Sequence, residues 1–420
     1  MLMRSNSRQS PVGSRQSAVI GVLLFVLGAP LAAQQYTFEE VASGLKHQDV
    51  ATRLRAIQIL KDADYAEAAG PIALALEDVD DRVQLAAIDA ERSLFTTRAV
   101  PRRKKIGFVV EVRTVAGGDA AAAGQLALKA RTVPPQVLTS LAVALRDRNP
   151  RVRAEAISLT SLLGPYACAR TSDPCAEIGN ALVDNINSRE ALVRRAAMQA
   201  LGQLRYPNAV QALSDQLSYR QRGLDAMAAL EGLAGIGHPT SVSVFEERLT
   251  NSNAEMRRFA VEGLARTGNR DALRTLQPMG QSERSNGVLL ALHYANVRLE
   301  SVDGSLQQLV GSLRNASQRA LALRYLLDLS ASVAPGLAES LKDQSADVRR
   351  LVADVLGFSR NTAVIPALEA AAKDSDPDVA AAAQQAIERL KLLEPRAARG
   401  DGAPQAKRRG AGRGAPATQG

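Results

Sequence analysis

Tryptophan is absent from this 420-residue chain, and aromatic residues make up only 3% of it. An interior without large rings has to be filled by Ala, Leu and Val, which suits thin helices packed closely together. Histidine is equally scarce: His47, His238 and His293 are far apart, and none is followed by Glu. The chain lacks His-Glu-x-x-His, paired Cys-x-x-Cys, the phosphate-cradling Gly-x-x-x-x-Gly-Lys and the nucleophile elbow Gly-x-Ser-x-Gly. A metal or acid–base site would need side chains converging from distant segments, so no catalytic, cofactor-binding or metal-binding residue is assigned.

Long apolar runs are also missing, with one exception. Arg4, Arg8 and Arg15 precede an apolar stretch over residues 18–29, which ends in Pro30-Leu31-Ala32-Ala33 before Gln34. This order of charged, apolar and small residues predicts a secretory signal peptide over 1–33, against the alternative of an uncleaved anchor. The expectation is an exported protein, periplasmic or extracellular, with no membrane span in the mature chain. The net charge of +9 belongs to the ends, because the first 33 residues supply +3 and residues 395–420 supply +5. A nearly neutral body is poorly suited to gripping phosphates, so nucleic-acid binding is the least favoured function. The Gly-, Ala-, Pro- and Arg-rich tail over 395–420 reads as disordered and basic. It suits contact with an anionic surface through charge alone, although a solubilising terminus explains it as well.

What the chain has in abundance is one recurring pattern. An apolar landmark, usually with Asp or Asn five residues before it and often Arg directly after, occurs as Asp49/Leu54/Arg55, Asp78/Val83, Asp147/Val152/Arg153, Val193/Arg194, Asn251/Met256/Arg257, Asp343/Val348/Arg349 and Asp374/Val379. Leu224, Val288 and Ala320 continue the series, which gives a unit of about 31 residues. A Leu or Ile usually sits seven before the landmark, an Ala commonly four after it, and an aliphatic residue eight after it. Offsets of four and eight share a helical face, so the landmark opens a second helix with its apolar stripe inward. A shorter first helix is entered through Pro71, Pro207, Pro239, Pro335 or Pro366. The acidic or amide residue is expected to cap the second helix, and the Arg to reach carbonyls or acids of the adjacent unit. All of these are structural roles.

The pattern from Leu341 to Gly357, with its cousins at 145–164 and 249–268, resembles HEAT repeats, most closely the short variety found in phycobilisome-lyase-like proteins. The resemblance covers residues 36–393. It implies an all-α fold, a right-handed α-α superhelix of about 10–11 helix pairs within residues 34–394, with a protein- or peptide-binding groove.

Two interruptions break the repeat. The first, at 97–118, holds Arg102, Arg103, Lys104 and Lys105 beside Phe108, followed by a β-branched stretch over 106–113. Insertions in solenoids lie on one face, often the binding face, so these five residues are the candidate partner contact, against a plain solvated loop. The second holds Cys168 and Cys175, for which a disulfide is the simplest reading in an exported chain. The function expected is a non-catalytic scaffold for a protein or peptide in the cell envelope or outside the cell. The alternative is a lyase-like enzyme or a subunit assisting one. No cofactor is expected.

Overall fold

The computed structural model describes residues 37–97, 126–168, 173–300 and 302–393. These residues form an all-α superhelical solenoid with no strand among them, apart from one isolated bridge between Thr96 and Leu128. The predicted signal segment, the tail and the candidate contact residues Arg102, Arg103, Lys104, Lys105 and Phe108 lie outside the described residues. No described helix is long and apolar enough to cross a membrane.

Nineteen α-helices make ten pairs among the described residues. In chain order the pairs are α1 (Phe38–Gly44) with α2 (Val50–Ala63), α3 (Ala69–Leu74) with α4 (Asp81–Phe95), α5 (Pro135–Ala144) with α6 (Pro150–Ala167), and α7 (Asp173–Asn185) with α8 (Ala191–Gln203). There follow α9 (Val210–Arg220) with α10 (Gly223–Ile236), α11 (Val242–Glu246) with α12 (Ala254–Thr267), α13 (Leu273–Ser282) with α14 (Asn286–Glu300), and α15 (Asp303–Gly311) with α16 (Ala316–Ala338). The ninth pair uses the end of α16 as its first helix and α17 (Ala346–Leu356) as its second, and α18 (Ile365–Ala371) with α19 (Pro377–Leu393) is the tenth.

The second helices stack into one layer, α2 on α4, then α6, α8, α10, α12, α14 and α16, with α17 on α19 at the end. Small residues permit this stacking. Ala87, Ala156, Ala197, Ala260 and Ala383 are fully buried at the repeating offset. Where α8 meets α10 even a methyl group does not fit: a Cβ on Gly235 would lie 2.6 Å from the Gly202 carbonyl oxygen.

Proline enters the first helix as expected at Pro207, Pro239 and Pro366, each in the first turn of a 3-10 or α segment. Pro335 does not. It lies inside the 23-residue α16, because Ala316–Ala338 contains no glycine or asparagine before Gly336 to end a helix. Of the helical character expected over 119–129, the described residues keep none beyond Leu126: Leu128 bridges to Thr96, the Thr97 N–H donates to the Ala127 carbonyl and the Lys129 N–H to that of Phe95.

The superhelix closes on itself. Arg389 on α19 is buried, its Nη2 donates to the Leu128 carbonyl at 2.6 Å, and its guanidinium lies 4.2 Å from the centre of the Phe358 ring. Phe358 in turn meets Tyr166 of α6 edge to face at 6.5 Å. The tenth pair therefore clasps the third across the axis.

Candidate functional site

The repeat ladder is present, with a different division of labour from the expected one. Asp78, Asp147, Asn251, Asp343 and Asp374 do not cap the second helices. Each sits two residues before the cap and accepts the backbone N–H of that residue, at 2.9, 2.6, 2.9, 2.9 and 2.8 Å respectively. The caps themselves include Asp80, Asn149, Asn253 and Asp376, which accept from the first turn. The ladder Asp and Asn side chains thus lie in the expected turn but bond the cap residue and not the helix, because an Asx turn and a helix cap use the same residue types.

The arginines behave as expected. Arg153, Arg194, Arg257 and Arg349 each fold back so that Nη1 donates to the carbonyl six residues earlier, at 2.8, 2.7, 2.7 and 2.9 Å. Their remaining nitrogens reach acids of the next pair: Glu190 at 3.1 Å, Asp225 at 2.6 Å, Glu283 at 2.8 Å and Asp374 at 2.7 Å. The Arg257 hydrogen bonds hold the Glu283 carboxyl down at about 2.

Three landmarks fall out of register. Leu54 and Ala320 are half-buried, and Leu224 is 62% exposed, whereas Val83, Val152, Val193, Met256, Val288, Val348 and Val379 are buried. In the first pair the ladder arginine is Arg53, not Arg55: Arg53 bonds the His47 carbonyl and pairs with Asp78 at 2.7 Å. His47 takes the place of the aspartate there, its Nδ1 accepting from the Asp49 N–H at 3.0 Å, which leaves Asp49 free to cap α2 directly.

The densest polar site was not visible as a motif. On the facing surfaces of α12, α14 and α16, two carboxylates are each bonded by a tyrosine: Tyr325 donates to Glu262 at 2.7 Å and Tyr294 to Asp328 at 2.6 Å. The two rings stack with centroids 4.6 Å apart. Arg266 bridges the pair, with Nη1 3.3 Å from Glu262 and Nε 2.9 Å from Asp328. Arg258 and Arg324 also contact Glu262, and Arg205 and Arg298 contact Asp328. Burial pushes both carboxyls up, but the surrounding guanidinium charges outweigh it and hold both well below the ordinary range. Burial raises both tyrosines above their ordinary value. A pair of permanently ionised acids facing permanently charged arginines has no proton to exchange near neutral pH. The arrangement binds three helices together across two repeat lengths.

A second cluster surrounds the clasp. Burial raises Asp354 to about 6, even though Arg350 lies 3.4 Å away and Arg389 is nearby. Glu91 on α4 is different again. It is fully buried, and among the described residues neither carboxyl oxygen has a hydrogen-bond partner, so burial drives it well above the ordinary carboxylate range.

Cys168 and Cys175 are joined in a disulfide at the end of α6, with Cα atoms 5.7 Å apart. His238 caps a short 3-10 turn by accepting from the Thr240 N–H, and His293 lies half-buried 3.3 Å from Ser305, its basicity lowered by burial. The structure brings no two histidines together. Among the described residues no group of three His, Cys, Asp or Glu is placed to hold a metal ion.

The repeats have recognisable relatives. Residues 221–293 and 305–399 match the family model of HEAT repeats, and residues 193–219 match that of the PBS lyase HEAT-like repeat. A search of curated proteins finds no match. Among solved structures, an engineered protein is 17% identical over 84% of this chain and 98% of its own, with a TM-score of 0.39. The complex of CpcE and CpcF of phycocyanin lyase from Nostoc is 18% identical over 62% and 95%, with a TM-score of 0.40. Human deoxyhypusine hydroxylase in complex with glycerol is 18% identical over 61% and 96%, with a TM-score of 0.29. At these scores the likenesses carry no activity across to this chain. Together the family matches cover less than half of the chain, and they show likeness to HEAT repeats within residues 193–399.

Proposed function

We propose that this protein is a non-catalytic scaffold that binds a protein or peptide in the cell envelope or outside the cell. The observation that carries the non-catalytic part is the Glu262–Arg266–Asp328 network. It is the densest collection of ionisable groups in the described chain, and its acids are saturated by arginines and tyrosines of the same chain. Such saturation stabilises a framework and leaves no group poised for proton transfer. The export part is supported by the signal-like segment at 1–33 and by the Cys168–Cys175 disulfide, a bond that persists in oxidising compartments. A stack of similar helix pairs offers extended surface for a partner, which is the usual contribution of solenoids to assembly.

The test has two parts. Fractionation of cells producing the full chain, followed by N-terminal sequencing, is expected to find it outside the cytoplasm and starting at Gln34. Recovery from the cytoplasm with intact residues 1–33 would overturn the location. Affinity capture from envelope extracts, followed by reconstitution with the purified partner, is expected to yield a stoichiometric complex. Turnover of a substrate that disappears in Asp354→Asn or His293→Ala while the fold survives would overturn the scaffold reading in favour of an enzyme.

A further inference from the structure

The turn between α9 and α10 departs from every other turn in the ladder. Its two connecting residues are Gln221 and Arg222, with Gln221 at φ 52° and the following Gly223 at φ 82°, and no side chain caps α10. The acid that normally sits in the turn has moved inside the helix as Asp225. There it is held by three arginines, Arg194 at 2.6 Å, Arg195 at 3.3 Å and Arg220 at 3.6 Å. These bonds draw the start of α8, the end of α9 and the start of α10 to one point.

Around that point three large apolar side chains face solvent. Leu192 is 74% exposed, Tyr219 79% and Leu224 62%. Leu192 and Leu224 occupy the second helical position of α8 and α10, where the other second helices carry such residues as Arg82, Arg151, Glu255, Asp347 and Asp378. This position is charged in five other second helices and Ala51, Gly287 or Ser317 in the remaining three, yet it is an exposed leucine in two consecutive pairs, with Tyr219 exposed at the end of the helix between them in the chain. Isolated exposed apolar residues are ordinary, whereas large ones repeated on adjacent helices at a position where no other pair has one mark a contact surface.

The rim is cationic. Arg189 and Arg222 are exposed, and Arg220 lies over the Tyr219 ring at 5.2 Å. The acids beside them are already engaged, Asp225 by its three arginines and Glu190 by Arg153 and Ser188. We infer that this edge of the fourth and fifth pairs docks an acidic segment of a partner protein, whose two apolar side chains meet Leu192 and Leu224 while its carboxylates pair with Arg189 and Arg222. The two leucines belong to adjacent stacked helices, so the partner's apolar groups stand about 8–10 Å apart. Charge complementarity selects this occupant: a neutral or basic segment would leave the rim arginines unpaired or opposed. The inference rests on the scaffold reading and gives it a place and a chemistry.

The test is to pan a phage-displayed library of random dodecapeptides against the full chain, with binding of the enriched peptides measured by calorimetry. Peptides with Asp or Glu around two apolar residues are expected to dominate. Their affinity is expected to fall about ten-fold or more in Leu192→Glu/Leu224→Glu and again in Arg189→Glu/Arg222→Glu. All four residues face solvent, and an unchanged melting curve checks that both variants fold. Enriched peptides whose binding ignores both variants would overturn this surface and leave the scaffold reading standing. Failure to enrich any peptide would count against both. Self-association abolished by Leu224→Glu, measured by sedimentation, would overturn the inference in favour of a second copy of the chain. Binding to phosphatidylglycerol vesicles lost in the same variants would overturn it in favour of a lipid surface.

Discussion

Arg266 holds Glu262 with one nitrogen and Asp328 with another, so a single guanidinium joins α12 to α16 past the helix that lies between them. All three side chains are almost wholly buried. Removing the cation takes one of three arginines from each carboxylate, while Arg258 and Arg324 stay on Glu262 and Arg205 and Arg298 on Asp328. The cost is that of lost charged hydrogen bonds, about 1.5–3 kcal/mol, and not that of a stranded buried charge. Arg266→Met is therefore expected to lower stability by that order in urea unfolding. Glu262→Gln, which keeps the Tyr325 hydrogen bond within reach, is expected to cost less.

The same network and the clasp respond to pH in opposite directions. Glu262 and Asp328 are depressed in the folded state, so their stabilisation is present above the ordinary carboxylate range near pH 4 and is lost as pH falls below it. Asp354 is raised to about 6. Its contribution is fully present below about pH 4, where both states are protonated, and is lost as pH rises through 6. Asp354→Asn is expected to leave stability near pH 4 unchanged and to raise it by about 3 kcal/mol at pH 7. Denaturant midpoints at the two pH values check this, and an equal effect at both would refute the assignment.

Glu91 occupies a position that is Leu60, Leu201, Leu233, Leu264, Leu326 and Leu356 in other second helices. A fully buried, unpartnered carboxyl among leucines costs about 1–3 kcal/mol. Glu91→Leu is expected to stabilise the protein by that order, with the gain growing as pH rises because the wild-type carboxyl then loses its proton. Thermal melts at pH 5 and pH 8 measure both the gain and its slope.

The Cys168–Cys175 bond closes a ring of few residues, which limits how much it constrains the unfolded chain. Reduction, or the double change Cys168→Ser/Cys175→Ser, is expected to cost about 2 kcal/mol and to leave helix content unchanged by circular dichroism.

The helix pairs were legible because burial repeats. Val83, Val152, Val193 and Val379 are core residues at the predicted positions with fully buried alanines four residues on, and Val348 is followed at the same offset by the buried Val352. Register failed at Leu54, Leu224 and Ala320 because the apolar identity of one residue outweighed the position of the cap. In the first pair His47 replaces the aspartate, and in the fifth Asp225 takes the landmark place itself. The polar network was not legible because three of its bonds, Arg266–Asp328, Arg324–Glu262 and Tyr325–Glu262, join residues 62 or 63 apart, two repeats away, where no neighbouring pair explains them. Tyr294 and Tyr325 carry the one sequence signal available. Two of only seven tyrosines stand one repeat apart. The clasp between Arg389 and Leu128 spans 261 residues and has no counterpart in the spacing.

That clasp changes how the molecule carries load. In an open array each unit is coupled only to its neighbours, so fraying at one terminus stops a unit or two inward. Here the last pair is fastened to the third through Arg389, Phe358 and Tyr166. Tension applied to the ends of the array has to release this latch before the coil can lengthen. The resistance to extension is therefore concentrated in one event and not distributed along the stack.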